Sequence, residues 1–188
     1  LFPILIPAMF LAPLLAAALC LIVSRRSTLQ NTITLLTLTL TTVMAFGLLM
    51  LADTYDVGVV QVGGWESPFG ISLVVDRLSA FMLLVSQLVL LSVIIYAVGQ
   101  GIRDGSKEQP VSIFLPTYLV LAAGLNNAFI AGDIFNLYVG FEILLAASYV
   151  LLTLGASQAR VRAGVSYTVV SMVSSMIFLV AIALTYAA

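Results

Sequence analysis

Glu142 stands in an apolar run, from Asp133 through Phe135, Tyr138 and Phe141 to Ala146, Ala147 and Tyr149. A helix starting at Asp133 and rising about 1.5 Å per residue carries it roughly 13 Å inward, near the centre of a hydrocarbon layer about 30 Å thick. An ionisable side chain at that depth points to function, because leaving it there unused is expensive. Tyr138, Glu142, Ala146 and Tyr149 lie four, four and three residues apart and share one helix face. The small Ala146 leaves room for water beside the acid, and both phenols are candidates to bond to it. Desolvation penalises the charged form of a carboxyl group, so an acid so placed can take up and release a proton. The alternative is a structural Glu bonded to a neighbouring helix.

Further polar residues surround this face. Gly164, Tyr167, Ser171, Ser174, Ser175 and Phe178 recur at spacings of three and four on the last apolar segment. Small and hydroxyl residues in that pattern mediate close helix packing in lipid; ordered water along the hydroxyls is the sharper reading. Ser166, Tyr167, Ser171 and Ser174, with Tyr138 and Tyr149, are therefore candidate path or hydration residues. Asp133 suits a helix N-cap at a membrane boundary, with ion entry as its alternative role. Asp76 is likewise a candidate entry residue or subunit contact, beside Arg77 at the start of another segment. Ser79, Ser86 and Gln87 read as packing residues, and Asn126 and Asn127 as hydrogen-bond partners for the segment carrying Glu142.

Composition sets the class. The 188 residues are 62% hydrophobic and 8% charged, with a mean hydropathy of +1.21, far from the soluble average of roughly a quarter charged. This is the composition of an integral membrane protein. Seven basic residues against eight acidic leave nothing to coat a polyanion, which argues against a nucleic-acid partner. There is no His and a single Cys, Cys20, so haem, iron–sulfur and catalytic zinc sites cannot be built from these residues alone. No cofactor and no metal site is expected; nor is a phosphate loop or a Ser/His/Asp set visible.

Hydropathy places about six transmembrane helices in one all-α membrane domain, at roughly 3–23, 31–52, 76–98, 111–131, 133–155 and 163–187. Pro13 should kink the first. That helix has no basic stretch before it, so it reads as retained rather than as a signal peptide. Between the second and third helices, Val/Gln alternation followed by Gly63–Gly64 and Ile71–Val75 suggests a short hairpin or loop on the membrane surface, with Trp65 at headgroup level. Arg25, Arg26, Arg103, Lys107, Arg160 and Arg162 all fall on one side and Arg77 on the other. By the positive-inside rule the N-terminus and this hairpin face outward.

At these residues a family resemblance appears. Asp133, Phe135, Tyr138, Phe141 and Glu142 resemble the fifth-helix motif of the antiporter-like subunits shared by Mrp-type multisubunit cation/proton antiporters and respiratory complex I. The stretch from Arg162 to Ser175 resembles the helix that follows, and Asp76-Arg77-Leu78-Ser79-Ala80-Phe81-Met82 the start of the third. Phe141 to Tyr149 is most similar to the Mrp D subunit, since complex I relatives usually place a Pro soon after the Glu. The resemblance implies that Glu142 is the essential acid of a proton path, that it works with lysines on later helices, and that H+ and Na+ are the transported ions. It implies other Mrp subunits and membrane lipid as partners, no redox cofactor in this chain, and a prokaryotic cell membrane as its place. Two departures stand out: Ser166 precedes Tyr167 where many relatives carry Lys, and the family has about fourteen helices in inverted repeats, of which these residues cover six. The rest, like the residues before Leu1, are expected elsewhere.

The expected function is thus a non-enzymatic one, a membrane subunit of a multisubunit Na+/H+ antiporter with Glu142 in its proton path. The alternatives are a proton-pumping subunit of an NADH:quinone oxidoreductase and a non-transporting scaffold.

Overall fold

The computed structural model describes residues 2–24, 26–65, 70–101, 112–154 and 158–187. Arg25, Glu66, Pro68, the 102–111 loop with Arg103 and Lys107, and Gly155 lie outside the described residues. Among the described residues the chain forms six α-helices and one two-stranded sheet: α1 (Phe2–Ile22), α2 (Ser27–Tyr55), β1 (Gly58–Gln61), β2 (Ser72–Val75), α3 (Arg77–Gly99), α4 (Phe114–Ile130), α5 (Ile134–Thr153) and α6 (Gln158–Ala187). Five are long and apolar enough to cross a membrane, and α4 is a shorter apolar helix of 17 residues.

Helices α2 and α6 begin earlier than hydropathy places them, at Ser27 and Gln158. Their first turns carry Thr28, Gln30, Arg160 and Arg162, which a hydropathy window leaves out although the helix continues through them. The surface segment is a hairpin: β1 and β2 pair antiparallel, Gly58 opposite Val75 and Gln61 opposite Ser72. Its far strand continues into a single bridge between Leu73 and Ala131, so the hairpin lies across the α4–α5 turn.

Helix α1 packs on α2 and α4, α2 on α3, α4 on α5, and α5 on α6. Two apolar clusters fill the α1–α4 block. One holds Ala16, Cys20, Leu38, Ile94, Leu115 and Leu119. The other, at the hairpin end, holds Ile6, Met9, Leu48, Leu73, Leu83 and Ile130. Between them on each helix sits a polar group. Thr41 Oγ1 donates to Gln87 Oε1 (2.6 Å), Gln87 Nε2 donates to Asn126 Oδ1 (2.6 Å), and Asn126 Nδ2 donates to the Met9 carbonyl (2.8 Å).

That last bond has a cause in the sequence. Pro13 has no N–H to give the Met9 carbonyl four residues back, and α1 nevertheless runs as a helix through Pro7 and Pro13. A carbonyl freed by proline within a membrane must find another donor, and Asn126 is that donor. Asn126 therefore ties α4 to α1 and α3, not to α5; Asn127 reaches α5, its Nδ2 donating to Asn136 Oδ1 at 3.1 Å.

The ends of the bundle are set by side chains too. Gln30 Nε2 donates to the Cys20 carbonyl at 2.9 Å and the Ser112 carbonyl at 3.2 Å, joining the end of α1 to the approach to α4. At the opposite end Arg77 lies 3.5 Å from Asp53 and 3.4 Å from Asp56, exposed pairs that contribute about 0–1 kcal/mol. Chain direction then puts Arg26, Arg160 and Arg162 together at the end away from the hairpin.

Candidate functional site

The site is built on a close helix crossing. Helix α5 can approach α4 because both present glycine: a Cβ on Gly140 would come 2.9 Å from the Ala128 nitrogen, and one on Gly124 would come 2.8 Å from the Leu144 nitrogen. Only hydrogen fits on either side. Glu142 follows Gly140 by two residues, about 200° around the helix, so the crossing that buries Gly140 turns Glu142 toward α6. Gly164 repeats the device on α6, where an added Cβ would run into Thr153.

Glu142 is half-buried in the α5–α6 seam. Among the described residues its direct partner is Ser175, whose Oγ bonds to Glu142 Oε1. The same Oγ bonds to the Tyr138 hydroxyl at 3.2 Å. Tyr138 is thus linked to the acid through Ser175 and not by a direct bond, and its ring stands edge-on to Phe178 with centroids 5.9 Å apart. Toward the basic end, Glu142 opens onto a pocket of about 220 Å³ lined also by Leu145, Ala146, Tyr149, Tyr167, Thr168, Ser171 and Met172. That volume has room for water, and its wall is mostly apolar carbon edged by the carboxylate and by the hydroxyls of Tyr149, Tyr167 and Ser171, while the Thr168 hydroxyl donates to the Gly164 carbonyl at 2.9 Å. A second pocket, of about 330 Å³, lies along Phe141, Glu142, Leu145, Ser174, Ser175 and Phe178.

The structure therefore brings Tyr138, Tyr149, Tyr167, Ser171 and Ser174 to the acid or to its two pockets. Ser166 is not among them: it is exposed on another face of α6, because a position one residue before Tyr167 is turned by about 100°. Two hydroxyl residues at the pockets are not singled out by the sequence. Ser175 was visible only as one serine of a polar face, and Thr168, flanked by Tyr167 and Val169, carried no separate signal.

Asp133 and Asp76 are both N-caps. Asp133 Oδ1 accepts from the Asn136 N–H at 2.6 Å and Oδ2 from the Ser72 N–H at 3.2 Å, so one carboxylate starts α5 and holds β2. Asp76 makes a capping box with Ser79, its Oδ1 accepting from the Ser79 N–H at 2.7 Å. Both lie at the hairpin end, a full helix turn or more from Glu142 along the sequence. Asp76 is held below the usual carboxylate range first by the Ser79 amide and then by the Ser79 hydroxyl. A depressed value stabilises the fold above the unfolded-state value near 3.9, and this contribution is lost as pH falls through the lower folded value. Asp76→Asn, which keeps the acceptor, should keep most of a cap worth about 1 kcal/mol but lose that acid-side slope. Thermal unfolding of the assembled protein in detergent between neutral pH and pH 3 measures it; an unchanged slope would show that Asp76 does not titrate as described.

Comparison with known proteins identifies the setting. Residues 131–188, which include Glu142 and all of α6, match the family described as NADH:quinone oxidoreductase/Mrp antiporter, TM. The chain is 34% identical over 177 residues to proteins of Staphylococcus aureus, strains JH9 and Newman, named as antiporter subunit mnhD2; the match covers 94% of this chain and 34% of theirs. It superposes on a chain of the Mrp complex from Dietzia sp. DQ12-45-1b with a TM-score of 0.89 and 30% identity, over 97% of this chain and 34% of that one. A chain of the membrane-bound sulfane sulfur reductase, an archaeal respiratory membrane complex, shares the fold, with a TM-score of 0.86 at 24% identity over 97% and 37% of the two chains. The chain thus spans about a third of the length of the relatives it matches. Residues 131–188 thus match the NADH:quinone oxidoreductase/Mrp antiporter transmembrane family, and the all-α membrane chain as a whole is similar along nearly all its length to an antiporter subunit and to a chain of an Mrp complex.

Proposed function

We propose that this chain belongs to a membrane subunit of a multisubunit cation/proton antiporter, and that Glu142 carries the proton. The observation that supports it most is the placing of Glu142: a carboxylate in the α5–α6 seam, facing a largely apolar pocket edged by hydroxyl residues on one side and a Ser–Tyr pair on the other. Protonated, it is neutral and compatible with an apolar seam; ionised, it needs water in the pocket or a positive charge from a neighbouring helix. A change in either shifts the balance between the two forms, so occupancy of the acid follows the state of a partner. In this reading the other subunits of an Mrp-type complex supply the cation route, sodium is the exchanged ion, and the basic end with Arg26, Arg160 and Arg162 faces the cytoplasm of a prokaryotic cell. The names of the relatives at 34% identity favour this over a redox-driven pump.

Cation-driven proton exchange in everted vesicles carrying the whole complex tests it. Glu142→Gln keeps size and hydrogen bonding while removing titration. At equal assembly it should lower exchange by about a hundredfold or more, the range lost with an acid–base group. Normal exchange would make the acid structural and leave the chain a scaffold.

A further inference from the structure

On the side away from the pocket of Tyr149 and Tyr167, Glu142 meets two hydroxyls in series. We propose that Ser175 and Tyr138 form a two-hydroxyl relay that passes the Glu142 proton toward the hairpin end of the helices; this rests on Glu142 being a proton carrier. Ser175 Oγ sits within hydrogen-bond reach of both Glu142 Oε1 and the Tyr138 hydroxyl. A serine hydroxyl has one hydrogen and two lone pairs, and an ionised carboxylate can only accept. With Glu142 ionised, the Ser175 hydrogen must point to the carboxylate, and Tyr138 must donate to Ser175. With Glu142 protonated at Oε1, its hydrogen points to Ser175, and the Ser175 hydrogen turns to the Tyr138 oxygen. The ionised acid thus fixes one polarity of the chain, protonation at Oε1 makes the opposite one available, and no heavy atom moves between them.

Release is a balanced step. The Glu142 O–H bond breaks as a new Ser175 O–H forms, the former Ser175 hydrogen passes to the Tyr138 oxygen, and the phenolic hydrogen leaves to a water. One proton departs, the carboxylate stays ionised, and the chain is left in the polarity that the ionised form requires. Uptake is the same step reversed. Tyr138 is held for this role by its rings' neighbours: Phe178 stands edge-on at 5.9 Å and Phe135 tilted at 6.3 Å between centroids. The pocket of Tyr149, Tyr167, Thr168 and Ser171 lies at the other end of the acid, so one exit from Glu142 runs along that pocket and the other through the fixed hydroxyls of Ser175 and Tyr138, beside the second pocket.

The test uses the complete antiporter complex in everted vesicles, with sodium as the driving cation and equal assembly checked for each variant. Ser175→Thr keeps the hydroxyl; Ser175→Val has nearly the same shape as that variant without it. We expect Ser175→Thr to retain most of the exchange rate, and Ser175→Val and Tyr138→Phe each to lower the maximal rate by about tenfold with the half-saturating sodium concentration unchanged. Equal rates for Ser175→Thr and Ser175→Val, or a wild-type rate for Tyr138→Phe, would overturn the relay. Glu142→Gln in the same series separates the two readings: if it is inactive while Ser175→Val is normal, only the relay fails, and if it is normal, the proton-carrier reading fails first. Should Ser175→Val not assemble, Tyr138→Phe makes the same cut from the facing helix.

Discussion

Gly140→Leu is expected to abolish assembly of the protein into its complex, and Gly140→Ala to weaken it. The reason is geometric. A single added Cβ at Gly140 would stand 2.9 Å from the Ala128 nitrogen and 3.1 Å from Asn127 Nδ2, and the nearer of these is backbone, which cannot turn aside as a side chain can. Overpacking of a tight interior costs roughly 1–3 kcal/mol, more when backbones must separate. In lipid the apolar effect between helices is absent, and close packing of small residues carries the association instead. Separating α4 from α5 therefore removes the main force between them and also swings Glu142 out of register with Ser175. Gly47→Ala is the control: nothing lies within 4 Å of a Cβ there, and in mid-helix alanine should be neutral or favourable by up to about 1 kcal/mol. Thermal stability of the detergent-purified complex compares the three; equal loss in Gly47→Ala and Gly140→Ala would show that the crossing is not what the glycine serves.

The second large effect concerns the polar layer. Asn126→Leu leaves two groups without partners at once, Gln87 Nε2 and the Met9 carbonyl, in a region where Thr41, Gln87 and Asn126 are fully buried. A hydrogen bond inside a membrane protein is worth only about 0.6 kcal/mol on average, whereas each stranded buried group costs about 1–3 kcal/mol. The second number decides, and with two groups stranded a loss of about 2–6 kcal/mol follows for the variant. Because the Met9 carbonyl is free only on account of Pro13, Pro13→Ala should restore part of that loss in the Asn126→Leu background and do little on its own. Unfolding of the complex measured for the two single variants and the double one checks this; strictly additive effects would mean that Asn126 does not replace the missing proline N–H.

Much of this was legible beforehand, for physical reasons. An apolar stretch long enough to span a bilayer shows in hydropathy, and Asp133 marks the start of α5, so the helices follow from residue types even though α2 and α6 start earlier, at Ser27 and Gln158. Spacing also placed Tyr138, Glu142, Ala146 and Tyr149 on one face. What spacing cannot give is the direction in which a face points. The two close glycine contacts of α4 and α5 settle that, and with it the choice of Ser175 rather than a tyrosine as the partner of Glu142. Likewise Asn126 reads as a bond to the next helix in sequence, while its true partners are 39 and 117 residues away, a separation that no local pattern reports. Ser166 shows the converse, a position selected by comparison with a lysine-bearing family motif that turns away from the pocket here.

The carboxylate, the Ser175 hydroxyl and both pockets share one interface, the seam between α5 and α6. Four other helix faces, those of α1–α4, are joined by two apolar clusters and a polar layer that contain none of these groups. A change in the spacing of α5 and α6 therefore acts on the link from Glu142 to Ser175 and on the gap between Tyr149 and Tyr167 together. Parting the two helices and wetting the carboxylate are then a single mechanical event.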